Sequence, residues 1–272
     1  MSKASPQNAP GRVVITGGSG GIGREIVARF LDEGCHVVNL DRLAPAEPPM
    51  PGCDFVAVDL LDVAAIRAAF AQIDIHFDGQ APDVLVCGAA IGMTHHALEV
   101  QPEDMDRVMG INVRGTFFCA QEAAFRMRRA NAGRIVVITS LCAHQAWAQE
   151  PLYNISKAAQ HGMVQTLAVE LAPFNIQVNA VAPGVVEVNS QGMSGNRARP
   201  EILQHYHDII PARRFCTPEE VAEAIWMLGK VTYMTGQAIT IDGGVMANGL
   251  AYIGSLRDDV LARLESKFPT ST

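Results

Sequence analysis

Tyr153 and Lys157 close the stretch ITSLCAHQAWAQEPLYNISK, Ile138 to Lys157. Residues four apart on a helix share a face, one turn above the other. A phenol with a pKa near 10 is a poor base at neutral pH, but a neighbouring ammonium favours the phenolate and lowers that pKa. A drop of about three units needs roughly 4 kcal/mol, within reach of a close, partly desolvated cation acting with a cationic cofactor. Ser140 lies just after the apolar run IVVIT, which puts its hydroxyl at a strand end. A hydroxyl, a phenol and an ammonium in one place can move a proton on or off an alcohol or carbonyl oxygen. Tyr and Lys four apart also occur on many surface helices, so the trio needs support elsewhere in the chain.

That support is a glycine loop. RVVIT, Arg12 to Thr16, reads as a buried strand and runs into GGSGGIG, Gly17 to Gly23. A helical pattern, REIVARFLDEG, follows and closes at Gly34. Strand, glycine loop and helix is the layout for holding a pyrophosphate, because backbone N–H groups and the positive helix end face the ligand. Gly18, Gly20 and Gly23 fit G-x-G-x-x-G, while Thr16, Gly17, Gly21 and Gly23 fit T-G-x-x-x-G-x-G. Gly17, Ser19, Gly21, Ile22 and Gly23 are the expected cofactor contacts of the loop.

The next strand, CHVVNL, ends at Asp41. An acid there accepts hydrogen bonds from ribose hydroxyls and repels a 2′-phosphate, which favours NAD over NADP. Arg42 beside it could pair with such a phosphate, but the loop itself holds no basic residue. The third strand, FVAVD, ends in Asp59-Leu60, where the acid is placed for an adenine amino group. DVLVCGAAIG reads as a fourth strand and a small-residue floor, in which Gly88 and Ala89 let a cofactor approach the backbone. His95 and His96 follow with no carboxylate or thiol at ligand spacing, so they are taken as loop residues and no metal is expected.

The remaining elements alternate. A helix is expected from about Asp62 to Ile75. From about Pro102 to Arg129 there are two helical patterns divided near Gly115, with Asn112 marking a bulge or a freed carbonyl. RIVVITS is the fifth strand, and a helix from about Leu152 carries Tyr153 and Lys157. NIQVNAVAPG is the sixth strand and ends in the turn Pro183-Gly184. Residues 185–213 are long and polar, a candidate substrate lid. TPEEVAEAIWML is a capped helix with Thr217 at the N-cap, Pro218 at N1 and Glu220 at N3, and AITIDGG holds the last strand. The pattern predicts a single Rossmann-type, doubly wound parallel sheet with helices on both faces, spanning residues 12–249. Residues 1–11 are expected to be flexible, and the tail 250–272 to be a helix docked on the domain or on a neighbouring subunit.

Bulk properties remove other classes. Nearly half of the 272 residues are apolar, enough for a large core. A charge of -7 and a pI near 5.6 argue against nucleic-acid binding. No apolar run reaches membrane-spanning length, and MSKASPQNAP has no signal-like apolar region. The six cysteines are scattered without C-x-x-C, as reduced thiols of a cytoplasmic protein would be.

Together these residues resemble the short-chain dehydrogenase/reductase family from Arg12 to Gly244. The resemblance rests on Thr16-Gly17…Gly21…Gly23, Asp41, Asp59, Asn112, Ser140, Tyr153, Lys157, Pro183-Gly184 and Asp242-Gly243-Gly244. It implies that Tyr153 is the general base and that Ser140 holds the substrate oxygen. Lys157 would lower the Tyr153 pKa and bind the nicotinamide ribose, and Asn112 would hold a water linking Lys157 to bulk solvent. It also implies cofactor contacts from Pro183, Gly184, Val186 and Val188, and a homodimer or homotetramer. Two positions depart from the family. Cys87-Gly88-Ala89-Ala90 replaces the usual N-N-A-G, and Val188 stands where a Thr commonly contacts the nicotinamide amide.

The expected activity is NAD-dependent interconversion of a small-molecule secondary alcohol, polyol or sugar hydroxyl and its carbonyl. Its pocket would draw on Ala90 to His96, Leu141 to Glu150 and the lid, with His144 and Trp147 on the substrate and Gln145, Gln149, His205 and His207 as further polar contacts. A carrier-linked 3-oxoacyl reductase is the rival within enzymes, with Arg126, Arg128 and Arg129 as positive charge but Phe174 where those reductases often carry an Arg. A non-catalytic nucleotide-binding regulator is the rival from another class.

Overall fold

The computed structural model describes residues 11–46, 50–187, 200–248, 262–263 and 265–267, leaving aside the side chains of residues 201 and 202. Val188, most of the expected flexible segment 1–11, residues 188–199 of the expected lid and most of the tail 250–272 lie outside the described residues.

Seven strands form one sheet in the order β3-β2-β1-β4-β5-β6-β7, and every pairing is parallel. The strands are β1 (Arg12–Thr16), β2 (His36–Asp41), β3 (Cys53–Ala57), β4 (Val84–Cys87), β5 (Gly133–Ile138), β6 (Ile176–Pro183) and β7 (Ala238–Ile241). The central strands β1, β4, β5 and β6 are buried on both faces and read as near-continuous apolar runs, while the edge strands β3 and β7 are only partly covered. The helices are α1 (Gly21–Asp32), α2 (Val63–His76), α3 (Pro102–Met109), α4 (Thr116–Ala130), α5 (Pro151–Leu171), α6 (Pro200–Ile209) and α7 (Pro218–Leu228).

Two cores result, one on each face. Phe70 of α2, Met127 of α4 and Val164 of α5 pack on one side of the sheet. Phe30 of α1 and Ile225 and Trp226 of α7 pack on the other, with Phe30 edge-on to Trp226 at 5.2 Å between centroids. The expected capping of α7 is present: the Thr217 hydroxyl accepts from Glu220 N at 3.3 Å and the Glu220 carboxylate from Thr217 N at 2.9 Å.

One boundary differs from expectation. The helical patterns do not divide at Gly115, because α3 and α4 are joined through a π-helical turn, Gly110–Gly115, with Asn112 inside it. The wider turn carries the chain past both glycines without breaking the rod. The order of strands reverses between β1 and β4, and a parallel sheet opens a crevice at that point beyond the strand ends.

Phe30→Ala removes a fully buried ring from the joint between α1 and α7. Its expected cost is about 3–5 kcal/mol of unfolding free energy, measurable by urea denaturation.

Candidate active site

A cleft of about 690 Å³ opens beyond the strand ends, lined by the glycine loop and by the segments that follow β2, β3, β4, β5 and β6. The glycine loop is shaped by close approach. Gly17 has φ +77°, and a Cβ there would come within 2.8 Å of the Ala89 backbone, while one on Gly23 would strike the Gly17 carbonyl. The loop is also tied from below. Buried Asn39 of β2 accepts from Gly18 N at 2.9 Å and donates to the Ser19 hydroxyl at 3.0 Å. Thr16 accepts from Gly88 N at 3.1 Å and Ala89 N at 3.2 Å, bracing the turn that follows Cys87 at the end of β4. Asp41 lines the cleft and accepts from Ser19 N at 3.1 Å.

At the end of β5, Ser140 accepts from Cys142 N at 3.2 Å, and its hydroxyl lies on the side of the Tyr153 phenol that favours the phenolate. One turn along α5, Lys157 is buried, with its ammonium 5.4 Å from the centre of the Tyr153 ring. Lys157 donates to the Ile138 carbonyl at 2.7 Å and to Gln160 Oε1 at 2.9 Å. Ser140, Tyr153 and Lys157 all line the cleft.

Burial dominates both titrations in the protein alone. Desolvation pushes the Tyr153 phenol up to about 12, with the nearby Cys142 adding to the rise and the Ser140 hydroxyl opposing it. Desolvation pulls the Lys157 ammonium down to about 7, with Cys142 and Cys87 working the other way. In the protein alone the loss of water sets the phenol, whereas the spacing argument counted a cationic cofactor beside the ammonium.

Most residues expected at the cofactor line the cleft. Gly17, Gly21, Ile22 and Gly23 do so from the loop, and Asp41, Arg42, Asp59 and Leu60 from the ends of β2 and β3. Gly88, Ala89, Pro183, Gly184 and Val186 complete the opposite wall. Ser19 is tied to Asp41 and Asn39 through its backbone and hydroxyl.

Asn112 stands elsewhere. It is fully buried behind the cleft, where its side chain accepts from Ile91 N at 2.9 Å and donates to Ile91 O at 2.8 Å and to the Ser156 hydroxyl at 3.0 Å. Its carbonyl accepts from Gln160 Nε2 at 2.6 Å, so Gln160 joins Asn112 to Lys157.

The expected substrate contacts divide. Trp147 lines the cleft and meets Tyr206 of α6 at 5.2 Å between ring centroids. His144 is exposed and packs edge-on against His161 at 4.9 Å, away from the lining. His207 stacks on Phe215 at 4.3 Å, and His205, Gln145 and Gln149 also stand off the lining, as do His95 and His96. Glu150 and Thr94 line the cleft from within the expected ranges. Tyr206, Asn39 and Gln160 carried no motif; an Asn and a Gln inside otherwise apolar runs were their only trace. Among the described residues no group of three or more His, Cys, Asp or Glu is placed to hold a metal ion. No described helix is long and apolar enough to cross a membrane.

A family model described as enoyl-(acyl carrier protein) reductase matches residues 17–246. The chain belongs to the short-chain dehydrogenase/reductase family. It is 34% identical over 243 residues to a 3-oxoacyl-[acyl-carrier-protein] reductase of Thermotoga maritima, covering 86% of this chain and 96% of the relative. A 2-dehydro-3-deoxy-D-gluconate 5-dehydrogenase of Dickeya dadantii is 31% identical over 252 residues, covering 88% and 97%. The crystal structure of a 3-ketoacyl-(acyl-carrier-protein) reductase from Brucella melitensis, complexed with NADH, superposes with a TM-score of 0.79 at 29% identity, covering 87% of this chain and 98% of that one. The short-chain dehydrogenase/reductase relatives thus include both carrier-linked reductases and a sugar-acid dehydrogenase. Gly17 and Gly23 let the loop pack closely on itself and on the Ala89 backbone, and Gly20 and Gly21 open onto the cleft at the start of α1, a backbone that fits a dinucleotide pyrophosphate.

Asn39→Ala would leave Gly18 N without its buried acceptor. Nicotinamide dinucleotide affinity is expected to fall about tenfold, read by isothermal titration.

Proposed function

We propose that the protein is an NAD-dependent oxidoreductase that interconverts a secondary alcohol, polyol or sugar hydroxyl and its carbonyl. The reading is carried by the Ser140 hydroxyl, the Tyr153 phenol and the buried Lys157 ammonium standing together on the wall of a cleft at the switch point of the sheet. A nicotinamide dinucleotide held along the glycine loop would supply the hydride acceptor and, when oxidised, a positive charge. Ser140 would hold the reacting oxygen. Tyr153 would take the hydroxyl proton in oxidation and return it in reduction, and Lys157 would stabilise the phenolate. The Asp41 carboxylate at the end of β2 supports NAD, since a 2′-phosphate there would meet a like charge. Trp147 and Tyr206 offer flat apolar faces, and Glu150 and Thr94 offer polar atoms, which suits a hydroxylated ring.

The carrier-linked reading has the Thermotoga relative in its favour. Arg126, however, is engaged by Asp74 at 2.6 Å and by Glu122 at 2.9 Å, leaving Arg128 and Arg129 for an acidic carrier. Exposed Phe125 on α4 and Ile155 and Val169 on α5 favour assembly as a homodimer or homotetramer.

Alcohols, polyols and aldoses screened with NAD and with NADP at 340 nm should show NAD reduction by one chemical group. Turnover of acyl thioesters with NADPH alone would overturn the assignment. Tyr153→Phe should abolish turnover while NAD still binds. Because Tyr153 must be deprotonated to accept a proton, log(kcat/KM) for oxidation should rise with pH through neutrality, and a profile flat from pH 6 to 9 would rule the phenol out as base. Asp41→Ala should raise the ratio of kcat/KM for NADP over NAD; an unchanged ratio would discard Asp41 as the selector.

A further inference from the structure

The interior side of Lys157 is closed by one side chain. Gln160, three residues further along α5 and 1% exposed, accepts from the ammonium through Oε1 at 2.9 Å. Through Nε2 it donates to the Asn112 carbonyl at 2.6 Å and to the Thr116 hydroxyl at 3.1 Å. The direction of the amide is forced, because an ammonium can only donate and a backbone carbonyl can only accept. Gln160 and its three partners all lie at 2% exposure or less. With Ile138 O on the second donor, one donor of Lys157 remains for the cleft that it lines.

We propose that Gln160 is a positioning residue. It holds the Lys157 ammonium by joining it to the carbonyl that the π-helical turn presents, and it shuts the path from Lys157 into the interior. A carboxamide neither gains nor releases a proton near neutrality, so a proton leaving the site departs on the cleft side. The π turn carries the Asn112 carbonyl that Gln160 meets. The charged and titratable groups facing Lys157 are Tyr153 on α5, Cys142 in the turn after β5 and Cys87 on β4. None of them supplies the acceptor that Gln160 does. Lys157 as partner to a titrating Tyr153 rests on the proposed function, but its hold by Gln160 does not.

The test follows Lys157 itself by NMR of protein labelled at the lysine side chain. Lys157 is one of four lysines in the chain, and Lys157→Met assigns its signal. Gln160→Leu removes the acceptor at similar volume and should lower the Lys157 midpoint by about one pH unit or more. Gln160→Glu places a carboxylate there and should raise it. Thr116→Val, which loosens one clamp on the amide, should move it in the same direction as Gln160→Leu and by less, and it serves if either Gln160 variant fails to fold. Turnover in Gln160→Leu should fall about tenfold with cofactor affinity kept within about threefold. Lys157 midpoints that coincide in wild type and all folded variants would overturn the proposal. If the unchanged protein turns over no alcohol or carbonyl, the proposed function fails, and the lysine titration still decides the role of Gln160.

Discussion

An ammonium removed from water is the constraint on which this site depends. Burying such a charge costs several kcal/mol unless acceptors replace the lost water. Lys157 receives two, the end of β5 through Ile138 O and the Gln160 amide on its own helix. The amide is in turn fixed by Asn112 and Thr116, on either side of the junction between the π turn and α4. A strand, a long helix and an irregular turn are thereby locked to one another around a single charge. Ser140 and Tyr153 inherit their positions from that lock, since they lie just beyond the strand end and one turn back along the helix.

A second set of ties holds the cofactor side. Thr16 binds the turn after β4 to β1, and Asn39 binds the glycine loop to β2. Asn112 grips both the N–H and the carbonyl of Ile91. The turn after β4 is therefore held from two neighbouring elements, which explains how it keeps its shape with Cys87 in place of an Asn. The small residues of that turn leave the backbone open to the cleft, and the ties keep it from collapsing into the space.

The parts legible in the sequence were those written locally. The glycine loop, the strand runs, the caps of α7 and the Ser-Tyr-Lys spacing each express backbone geometry within a few residues. Together they gave the parallel sheet and its order of elements. Gln160 and Asn39 were not legible, because their meaning lies in partners 48 and 21 residues away. The loop aromatics and histidines failed for a related reason. Composition placed His144 and Trp147 alike near the cleft, while packing turned one toward His161 and the other toward Tyr206. Spacing showed the neighbour of Tyr153 and not the depth of burial that raises the phenol in the protein alone.

The π turn also acts as a phase setting for everything downstream of it. Each residue advances a helix by about 100°, so a wide turn between α3 and α4 fixes which way α4 faces when it leaves Gly115. Cys119, Ala120, Ala123 and Met127 are all fully buried against the sheet from that setting. Deleting one residue within Gly110–Gly115 would let the segment close into an ordinary helix that keeps α3 and α4 in phase, so the loss would fall on the ties of Asn112 to Ile91 and Gln160 and not on the packing of this face.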